Sequence, residues 1–287
     1  MVKAEKITKM REIIKEWKSK GLTIGFVPTM GCLHEGHMSL VERAARENNR
    51  VVVSIFVNPI QFGPNEDYEK YPRSLSSDLE KCCSAGVHAV FCPSVNEMYP
   101  DKSLAFVNVE SLDENLCGKT RPNHFRGVCT VVAKLFNIIS PDRAYFGQKD
   151  AQQLAIVSKM TSDLNFDIEI ISCPILREKD GLALSSRNSY LSSDERAAAV
   201  VIYSALESAK ALLKRGERSA GNVKAAMKTE IEKQPLAAVD YVEVVDAKTL
   251  SPVEKITGTV LVAAAVYIGK TRLIDNFIFC LDEGGKQ

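Results

Sequence analysis

Short runs of β-branched and aromatic residues alternate with amphipathic stretches through the first part of the chain. The apolar runs are nearly continuous, which is typical of strands that are buried on both faces of a sheet. They predict strands at 22–27, 50–57, 87–92, 143–146 and 168–172. Apolar positions three and four residues apart predict helices between them, at 37–48, 74–85, 126–139 and 150–164. This alternation indicates an α/β fold with a Rossmann-like, doubly wound parallel sheet.

The pattern changes after residue 176. Two long helical patterns come first, at 194–214 and 219–233. Three strand patterns follow them, at 239–245, 259–267 and 271–280. A Gly-Lys pair between the last two strands predicts a hairpin. We therefore expect a Rossmann-like domain over 1–176 and a smaller α+β lid domain with antiparallel strands over 177–287, with a frayed end at 283–287.

The composition excludes several classes of protein. The 37 basic and 36 acidic residues give a net charge of +1, so nothing favours binding to nucleic acid or to an acidic membrane surface. The first 17 residues form a charged amphipathic helix pattern without the apolar region of a signal peptide, and the longest apolar stretch, 260–268, is too short to span a bilayer. The eight cysteines form no C-x-x-C pair. We expect a cytoplasmic protein with reduced thiols.

The segment 28–37 carries the strongest chemical signal. It follows the first strand of the predicted sheet and opens a helix with two of the four histidines, His34 and His37. Residues three apart share one face of a helix, and the amides and dipole at a helix N-terminus favour anions. The His-Glu-Gly-His spacing is one residue too short for the zinc-protease helix. The segment therefore predicts a phosphate site with two imidazoles.

Two Gly-Lys-Thr triplets, at 118–120 and 269–271, suggest phosphate loops. A phosphate loop also needs a glycine five residues before its second glycine, and Asp113 and Ala264 stand at those positions. The chain also lacks a Gly-x-Gly-x-x-Gly after a strand. If a nucleotide binds, we expect it at 28–37.

Polar residues also lie at the end of a second predicted strand and at the start of a predicted helix. Asn58 and Gln61 come after the strand at 50–57, where they either satisfy turn backbone or hydrogen-bond a hydroxyl or carboxylate of a small substrate. Arg121, His124 and Arg126 lie where the helix at 126–139 begins, as a solvated cap or as an anion site. The sequence leaves both pairs of interpretations open.

Two further segments have the composition of phosphate-binding loops. Gly147 lets a ligand approach the backbone closely, and Lys149 supplies a charge within reach of phosphate. Ser185, Ser186 and Arg187 form a weaker pattern of the same kind. The sequence has no Gly-x-Ser-x-Gly nucleophile motif. Phosphate donors without a nucleophile predict catalysis by positioning and charge stabilisation, as in phosphoryl or nucleotidyl transfer.

Seven ordered segments resemble the pantothenate synthetase (pantoate–β-alanine ligase) family. They are Pro-Thr-Met-Gly-Cys-Leu-His-Glu-Gly-His (28–37), Phe-Val-Asn-Pro-Ile-Gln-Phe (56–62), Tyr-Pro-Arg (71–73), Glu-Met-Tyr-Pro (97–100), Arg-Pro-Asn-His-Phe-Arg-Gly-Val (121–128), Phe-Gly-Gln-Lys-Asp-Ala-Gln-Gln (146–153) and Asp-Gly-Leu-Ala-Leu-Ser-Ser-Arg-Asn (180–188). Leu-Ile-Asp-Asn (273–276) fits the C-terminal region of the family. The histidine segment also resembles the wider superfamily of nucleotidylyltransferases and class I aminoacyl-tRNA synthetases.

The resemblance implies that ATP, pantoate and β-alanine are the substrates. The pantoate carboxylate attacks the α-phosphate of ATP to give pantoyl adenylate and pyrophosphate, and the β-alanine amine then displaces AMP. A nucleotidyltransferase that keeps the nucleotide on its product is the alternative. A non-catalytic nucleotide-binding module is a third hypothesis, which predicts the loss of His37 or Lys149, and both are present.

The resemblance also assigns residues. The catalytic assignments are His34, His37, Lys149 and Arg187, with His37 as the proton donor. The ATP-binding assignments are Met30, Gly31, Cys32, Leu33, His34, Glu35, Gly36, His37, Gly147, Gln148, Lys149, Asp150, Leu176, Leu184, Ser185, Ser186 and Arg187. The substrate-binding assignments are Asn58, Gln61, Gln153, Arg121 and His124.

Magnesium and a homodimer are also implied by the resemblance. Mg²⁺ is expected on the ATP phosphates, with Asp78 as a candidate protein ligand. Three residues depart from the usual family pattern, namely Cys32, Gln148 and Ala151. The last two place local loop packing in question rather than the chemistry, because Lys149 and Asp150 remain.

Overall fold

A computed structural model describes residues 1–64 and 66–281. Within them, six parallel strands form one sheet, and these are β1 (Val2–Ala4), β2 (Ile24–Thr29), β3 (Arg50–Ile55), β4 (Ala89–Phe91), β5 (Arg143–Gly147) and β6 (Glu169–Cys173). Their order is β1-β4-β3-β2-β5-β6. The chain builds outward from β2 on both sides, which is the doubly wound topology. The predicted fold class is confirmed.

Helices connect these strands, as parallel pairing requires. They are α1 (Ile7–Ser19), α2 (Glu35–Glu47), α3 (Leu75–Ser84), α4 (Val95–Met98), α5 (Leu116–Thr120), α6 (His124–Ile139) and α7 (Ala151–Asp163). Most residues of α6 are buried because its sequence is apolar on nearly all sides. No helix in the described ranges is long and apolar enough to cross a membrane.

The described chain divides into two compact units by its internal contacts. The first unit contains 1–113, 118–148 and 153–176, and the second contains 114–117, 149–152 and the described residues from 177 onward. The two short segments are separate in sequence from the rest of the second unit. Lys149, Asp150 and Gln152 therefore belong to the second unit, whereas Gln148 and Gln153 belong to the first.

The second unit packs helices against an antiparallel sheet. Its elements after residue 177 are α8 (Ser193–Ala198), α9 (Val201–Lys214), α10 (Ala220–Glu232), β7 (Ala237–Asp246), β8 (Val260–Ile268) and β9 (Thr271–Phe279). The sheet order is β7-β8-β9. Ile202, Leu206, Met227 and Val262 belong to its solvent-excluded core. These elements confirm the predicted small antiparallel domain.

The two Gly-Lys-Thr triplets have structural roles. Ile268 pairs with Thr271 across the β8–β9 turn, and Gly269 adopts a φ of +57° there, which glycine tolerates best. The triplet at 118–120 forms the end of α5. The sequence had already indicated that neither triplet is a phosphate loop, and the structure gives each an ordinary secondary-structure role.

Two predictions of secondary structure were wrong. The expected N-terminal helix begins only at Ile7, and Val2–Ala4 is an edge strand paired with β4. Three residues are too few to show a strand period. The single helix expected at 194–214 is divided into α8 and α9. The turn between them keeps helical dihedral angles and so preserves the apolar period, which is why the sequence pattern did not reveal the division. The predicted frayed end at 283–287 lies outside the described residues.

Candidate functional site

The turn between β2 and α2 is held by a buried carboxylate. Asp78 is 1% exposed, and its two oxygens accept hydrogen bonds from the backbone N–H groups of Cys32 (2.8 Å) and Leu33 (2.7 Å). Gly31 has a φ of +86°, and a Cβ there would lie 3.0 Å from the Asp78 carboxylate. Asp78 therefore shapes the turn that carries Met30 to Leu33. Its role as a magnesium ligand stays a prediction.

His34 and His37 are fixed by a reciprocal cap at the start of α2. The Nδ1 atom of His34 accepts from Gly36 N–H at 3.1 Å, and the Nδ1 atom of His37 accepts from His34 N–H at 3.3 Å. A backbone N–H can only donate, so both neutral rings carry their proton on Nε2. The ring centroids are 4.1 Å apart. The helix start thus presents two oriented N–H donors beside its own positive dipole end.

Gln61 lies in the short 3₁₀ helix that follows β3, within a buried amide network. Its Nε2 contacts the Met30 sulfur at 3.1 Å, and its Oε1 accepts from Asn58 Nδ2 at 3.0 Å. Asn58 is 1% exposed and also accepts from the Tyr99 hydroxyl at 2.8 Å. Burial raises the pKa of Tyr99, so its phenol remains a donor. Asn58 therefore orients the Gln61 side chain, and its own contact with substrate stays a prediction.

Gly127 lets α6 approach Gln61 closely. A Cβ on Gly127 would lie 2.4 Å from the Ile60 carbonyl oxygen and 2.6 Å from the Gln61 Cα atom. The Gly127 carbonyl also accepts from Asn58 Nδ2 at 3.2 Å. Contacts this short to backbone atoms cannot be relieved by a side-chain rotation. The position therefore requires glycine.

The family resemblance implies that Gln61 binds pantoate, and on that assignment Gly127→Ala should displace Gln61 and raise KM for pantoate by about tenfold, as the loss of one well-placed hydrogen bond would. Steady-state kinetics with pantoate as the varied substrate measures this effect. KM for ATP should change little, because Asp78 and the α2 cap, rather than α6, order the histidine turn. Ala133→Gly, on the same helix, is a control for altered helix propensity. An unchanged KM for pantoate in Gly127→Ala would contradict the assignment of Gln61.

The guanidinium of Arg121 is paired with Glu66 and His124, where the sequence had left open either a solvated helix cap or an anion site. Its Nε and Nη2 atoms donate to the two oxygens of Glu66 at 2.7 and 2.5 Å, and its Nη1 donates to His124 Nε2 at 2.9 Å. Arginine can only donate, so His124 carries its proton on Nδ1 and donates it to the Gln61 carbonyl at 2.8 Å. Glu66 was not a predicted site residue.

A cavity of about 270 Å³ lies at the turn between β2 and α2 in the first unit. Met30, Gly31, Phe56 and Tyr68 contribute to its wall, and Asp78 lies at the same cavity. It is located where β2, β3 and β4 end, as expected for ligand sites of parallel sheets.

In the second unit, β9 holds Lys149. The buried Asn276 donates from Nδ2 to the Lys149 carbonyl at 2.9 Å. The next residue back along β9, Asp275, binds Arg177 through both oxygens at 2.5 and 2.9 Å. Lys149, Ser185 and Asp275 line one small cavity. Asn276 and Asp275 fall in a segment that resembles the family, but no functional role was predicted for them.

The serine–arginine loop of the second unit is also ordered by local bonds. Arg177 Nη1 donates to the Gly181 carbonyl at 3.0 Å, and the Ser185 hydroxyl accepts from Arg187 N–H at 3.3 Å. Ser185 thereby caps the short 3₁₀ helix Ser186–Tyr190. The cluster of Lys149, Ser185, Ser186 and Arg187 expected from the sequence lies in this unit, together with Leu184 and Asp150.

The remaining predicted residues lie in the first unit. Gly147 ends β5, Gln148 accepts from Ser172 at 3.3 Å, Gln153 lies in the first turn of α7, and Leu176 is 41% exposed. Glu35 and Gly36 form the first turn of α2, beside the two histidines. The histidine turn and Gln61 are thus together in one unit, and Lys149 and the serine loop are together in the other.

A doubly wound parallel sheet with two oriented imidazoles at a helix N-terminus defines an α/β enzyme of the nucleotide-binding type. The chain belongs to the pantoate-beta-alanine ligase family, whose model matches residues 3–278. It is a ligase, and the reaction of its family is the ATP-dependent joining of pantoate and β-alanine.

The relatives agree in sequence and in structure. Pantothenate synthetase of Clostridium novyi (strain NT) is 58% identical over 283 residues, which cover 99% of this chain and 100% of that protein. The crystal structure of pantothenate synthetase from Thermus thermophilus has a TM-score of 0.92 at 44% identity, covering 96% and 99% of the two chains. A Francisella tularensis pantoate-beta-alanine ligase complexed with beta-gamma ATP and beta-alanine has a TM-score of 0.79 at 36% identity and full coverage of both chains.

Proposed function

We propose that the histidine turn binds the phosphates of ATP and that the enzyme activates pantoate as an adenylate. The observation that carries the proposal is the reciprocal cap, which fixes the Nε2–H groups of His34 and His37 at the positive end of α2. Donors fixed before the reaction stabilise charge that develops on phosphate oxygens without a reorganisation cost.

The reaction then needs no nucleophile from the protein. A pantoate carboxylate oxygen forms a bond to the α-phosphorus, and the bond from that phosphorus to pyrophosphate breaks. The β-alanine amine next attacks the activated carbonyl carbon, the acyl–oxygen bond to AMP breaks, and the amine proton is released to solvent. His37 donates to the phosphate oxygens in the first step, and His34 holds the ring of His37 in place.

In the second unit, Lys149 and Arg187 supply positive charge to the triphosphate, with Ser185 and Ser186 as hydroxyl donors. In this proposal Asp150 contacts the ribose, and the backbone of Leu176, a residue of the first unit, contacts the adenine. The support for this assignment is that β9 fixes the Lys149 backbone and that Ser185 caps the loop carrying Arg187. Both cations are therefore attached to ordered backbone.

Gln61 and Gln153 bind pantoate in this proposal, and Asn58 positions Gln61. The amide network around Gln61 suits the hydroxyl and carboxylate oxygens of a hydroxy acid, which favours the ligase over a nucleotidyltransferase that retains the nucleotide. Arg121 receives the carboxylate of β-alanine, because its planar fork matches a carboxylate. His124 supports Gln61 through the backbone.

Mg²⁺ is proposed to bind the ATP phosphates and to neutralise part of their charge. The described residues contain no group of three or more His, Cys, Asp or Glu side chains that could hold a metal ion. Both oxygens of Asp78 already accept from the turn. This donor set fits an ion held mainly by phosphate and water, which is how Mg²⁺ is often bound.

A homodimer in the cytoplasm completes the proposal. None of the eight cysteines, all of which lie in the described part of the chain, forms a disulfide, as a reducing compartment favours. Leu104 is 89% exposed and Phe106 is 41% exposed, and such apolar side chains are suited to a subunit contact.

The order of product release tests the proposed chemistry. ATP and pantoate alone should release pyrophosphate in a single burst that matches the enzyme concentration, because the adenylate stays bound. AMP should appear only after β-alanine is added. Pyrophosphate and AMP are measured in the same quenched samples, with ATP alone as the control. A nucleotidylated product that accumulates without AMP would instead identify a nucleotidyltransferase.

A further inference from the structure

Glu66 occupies the edge of Arg121 that is best suited to a carboxylate ligand. Both of its oxygens bind the Nε and Nη2 atoms of the guanidinium, at 2.7 and 2.5 Å. The two side chains are only 24% and 18% exposed. Burial raises the pKa of Glu66, but the hydrogen bond and positive charge of Arg121 outweigh burial and hold that pKa below its usual value. An ionised protein carboxylate therefore fills the fork at neutral pH.

The opposite edge of Arg121 has a separate task. Its Nη1 atom donates to His124, which in turn holds the Gln61 carbonyl. A ligand could therefore replace Glu66 on the Nε–Nη2 edge while His124 and Gln61 keep their positions. One edge of the guanidinium thus supports Gln61, the proposed pantoate-binding residue, through His124. The other edge can exchange one carboxylate for another.

The backbone around Glu66 is suited to such an exchange. Glu66 lies between the 3₁₀ helix at Pro59–Gln61 and α3, and its own N–H donates to the Gly63 carbonyl at 3.1 Å. The next turn is closed by a bond from Lys70 N–H to Asp67 O at 3.1 Å. Segments of isolated turns open at lower free energy than helices or sheets. Neither Glu66 nor Arg121 lies in a helix or strand, so the exchange that we propose does not require such an element to open.

We propose that Glu66 is an internal stand-in for the carboxylate of the acceptor amino acid. It neutralises Arg121 while the adenylate forms, and the carboxylate of β-alanine displaces it. An amine without a carboxylate cannot replace Glu66, so the pair selects amino acids over simple amines. This inference rests on the proposed function of Arg121 as the acceptor site.

Replacement of the stand-in should tighten acceptor binding. In Glu66→Gln, KM for β-alanine should fall about fivefold, the size expected for a partly exposed ion pair. KM for ATP and for pantoate and the pyrophosphate burst should not change. Glu69→Gln removes a charge from an exposed side chain of the same segment and is the matched control. A role of Glu66 in merely holding the site predicts the opposite, a rise in KM for β-alanine.

Two further arms complete the test. With propylamine as the acceptor, Glu66→Gln should equal the unmodified enzyme, since no carboxylate competes for Arg121. Glu66→Asp keeps the charge but shortens the reach, and should lower KM for β-alanine less than Glu66→Gln does. An unchanged or raised KM for β-alanine in folded Glu66→Gln or Glu66→Asp would overturn the proposal. That result differs from failure of the proposed function, in which the unmodified enzyme would release no AMP on addition of β-alanine.

Discussion

His37→Ala is expected to slow the pyrophosphate burst by a factor of about 10² to 10³, the usual effect of removing one donor to developing charge. The cost in folding should be small. The Nδ1 atom of His37 accepts one long bond of 3.3 Å from His34 N–H, and the loss of such a bond costs about 1 kcal/mol. Alanine is also a better helix former than histidine, which offsets part of that loss.

A histidine elsewhere in the first unit provides the control for this prediction. His88 accepts from Val51 N–H at 3.1 Å, and burial and the neighbouring Arg50 lower its pKa, so the neutral ring stabilises the fold. His88→Ala should lower the free energy of unfolding but keep the burst rate. His37→Ala should show the reverse. The burst is measured by rapid quench and the stability by urea unfolding. Equal losses of stability and rate in His37→Ala would remove the argument for a catalytic role.

The sequence predicted the parts of the site that are local. The histidine turn is recognisable because His34 and His37 lie on one helix turn directly after an apolar strand. The same holds for Gln61, which follows β3 by a few residues. In both cases the backbone that orients the side chain is encoded by its own neighbours, so the spacing in sequence indicates the geometry.

The supporting side chains could not be predicted in this way. Asp78 reaches a backbone N–H 46 residues away, Arg121 binds a carboxylate 55 residues away, and Asn276 holds a carbonyl 127 residues away. Pairs at such separations leave no local period or motif. Arg121 is the clearest case, because without Glu66 the sequence could not decide between a solvated cap and an anion site. The sequence showed the charge but not its partner.

The fold shows the same limit at the level of whole elements. The strands β2, β3 and β5 were predicted because they are buried on both faces and therefore continuously apolar. The edge strand β1 has only three residues, and its pattern is that of the amphipathic stretch beside it. It exists because β4 offers a free edge, which is a property of the assembled sheet and not of the segment.

Lys149→Met is expected to lower kcat by a factor of about 10² to 10³, because the transition state loses the positive charge that Lys149 provides beside the triphosphate. Methionine keeps most of the length of the side chain. Asn276 holds the carbonyl of residue 149, which does not depend on the side chain, so the backbone should keep its place. Among the described residues, the carboxylate that pairs with the ammonium is Asp150, at 3.9 Å. Loss of so distant a pair should change the free energy of unfolding by less than about 1 kcal/mol.

The control for Lys149→Met is the removal of a lysine charge from the same unit. Lys270 is exposed at the β8–β9 turn, so Lys270→Met should leave both kcat and stability unchanged. The burst of pyrophosphate separates two origins of the loss, because Lys149 acts on the first chemical step. A slow burst in Lys149→Met with an unchanged rate of AMP formation from preformed adenylate would place the charge on the ATP phosphates. A normal burst followed by slow AMP release would place Lys149 at the second step and contradict its assignment to the triphosphate.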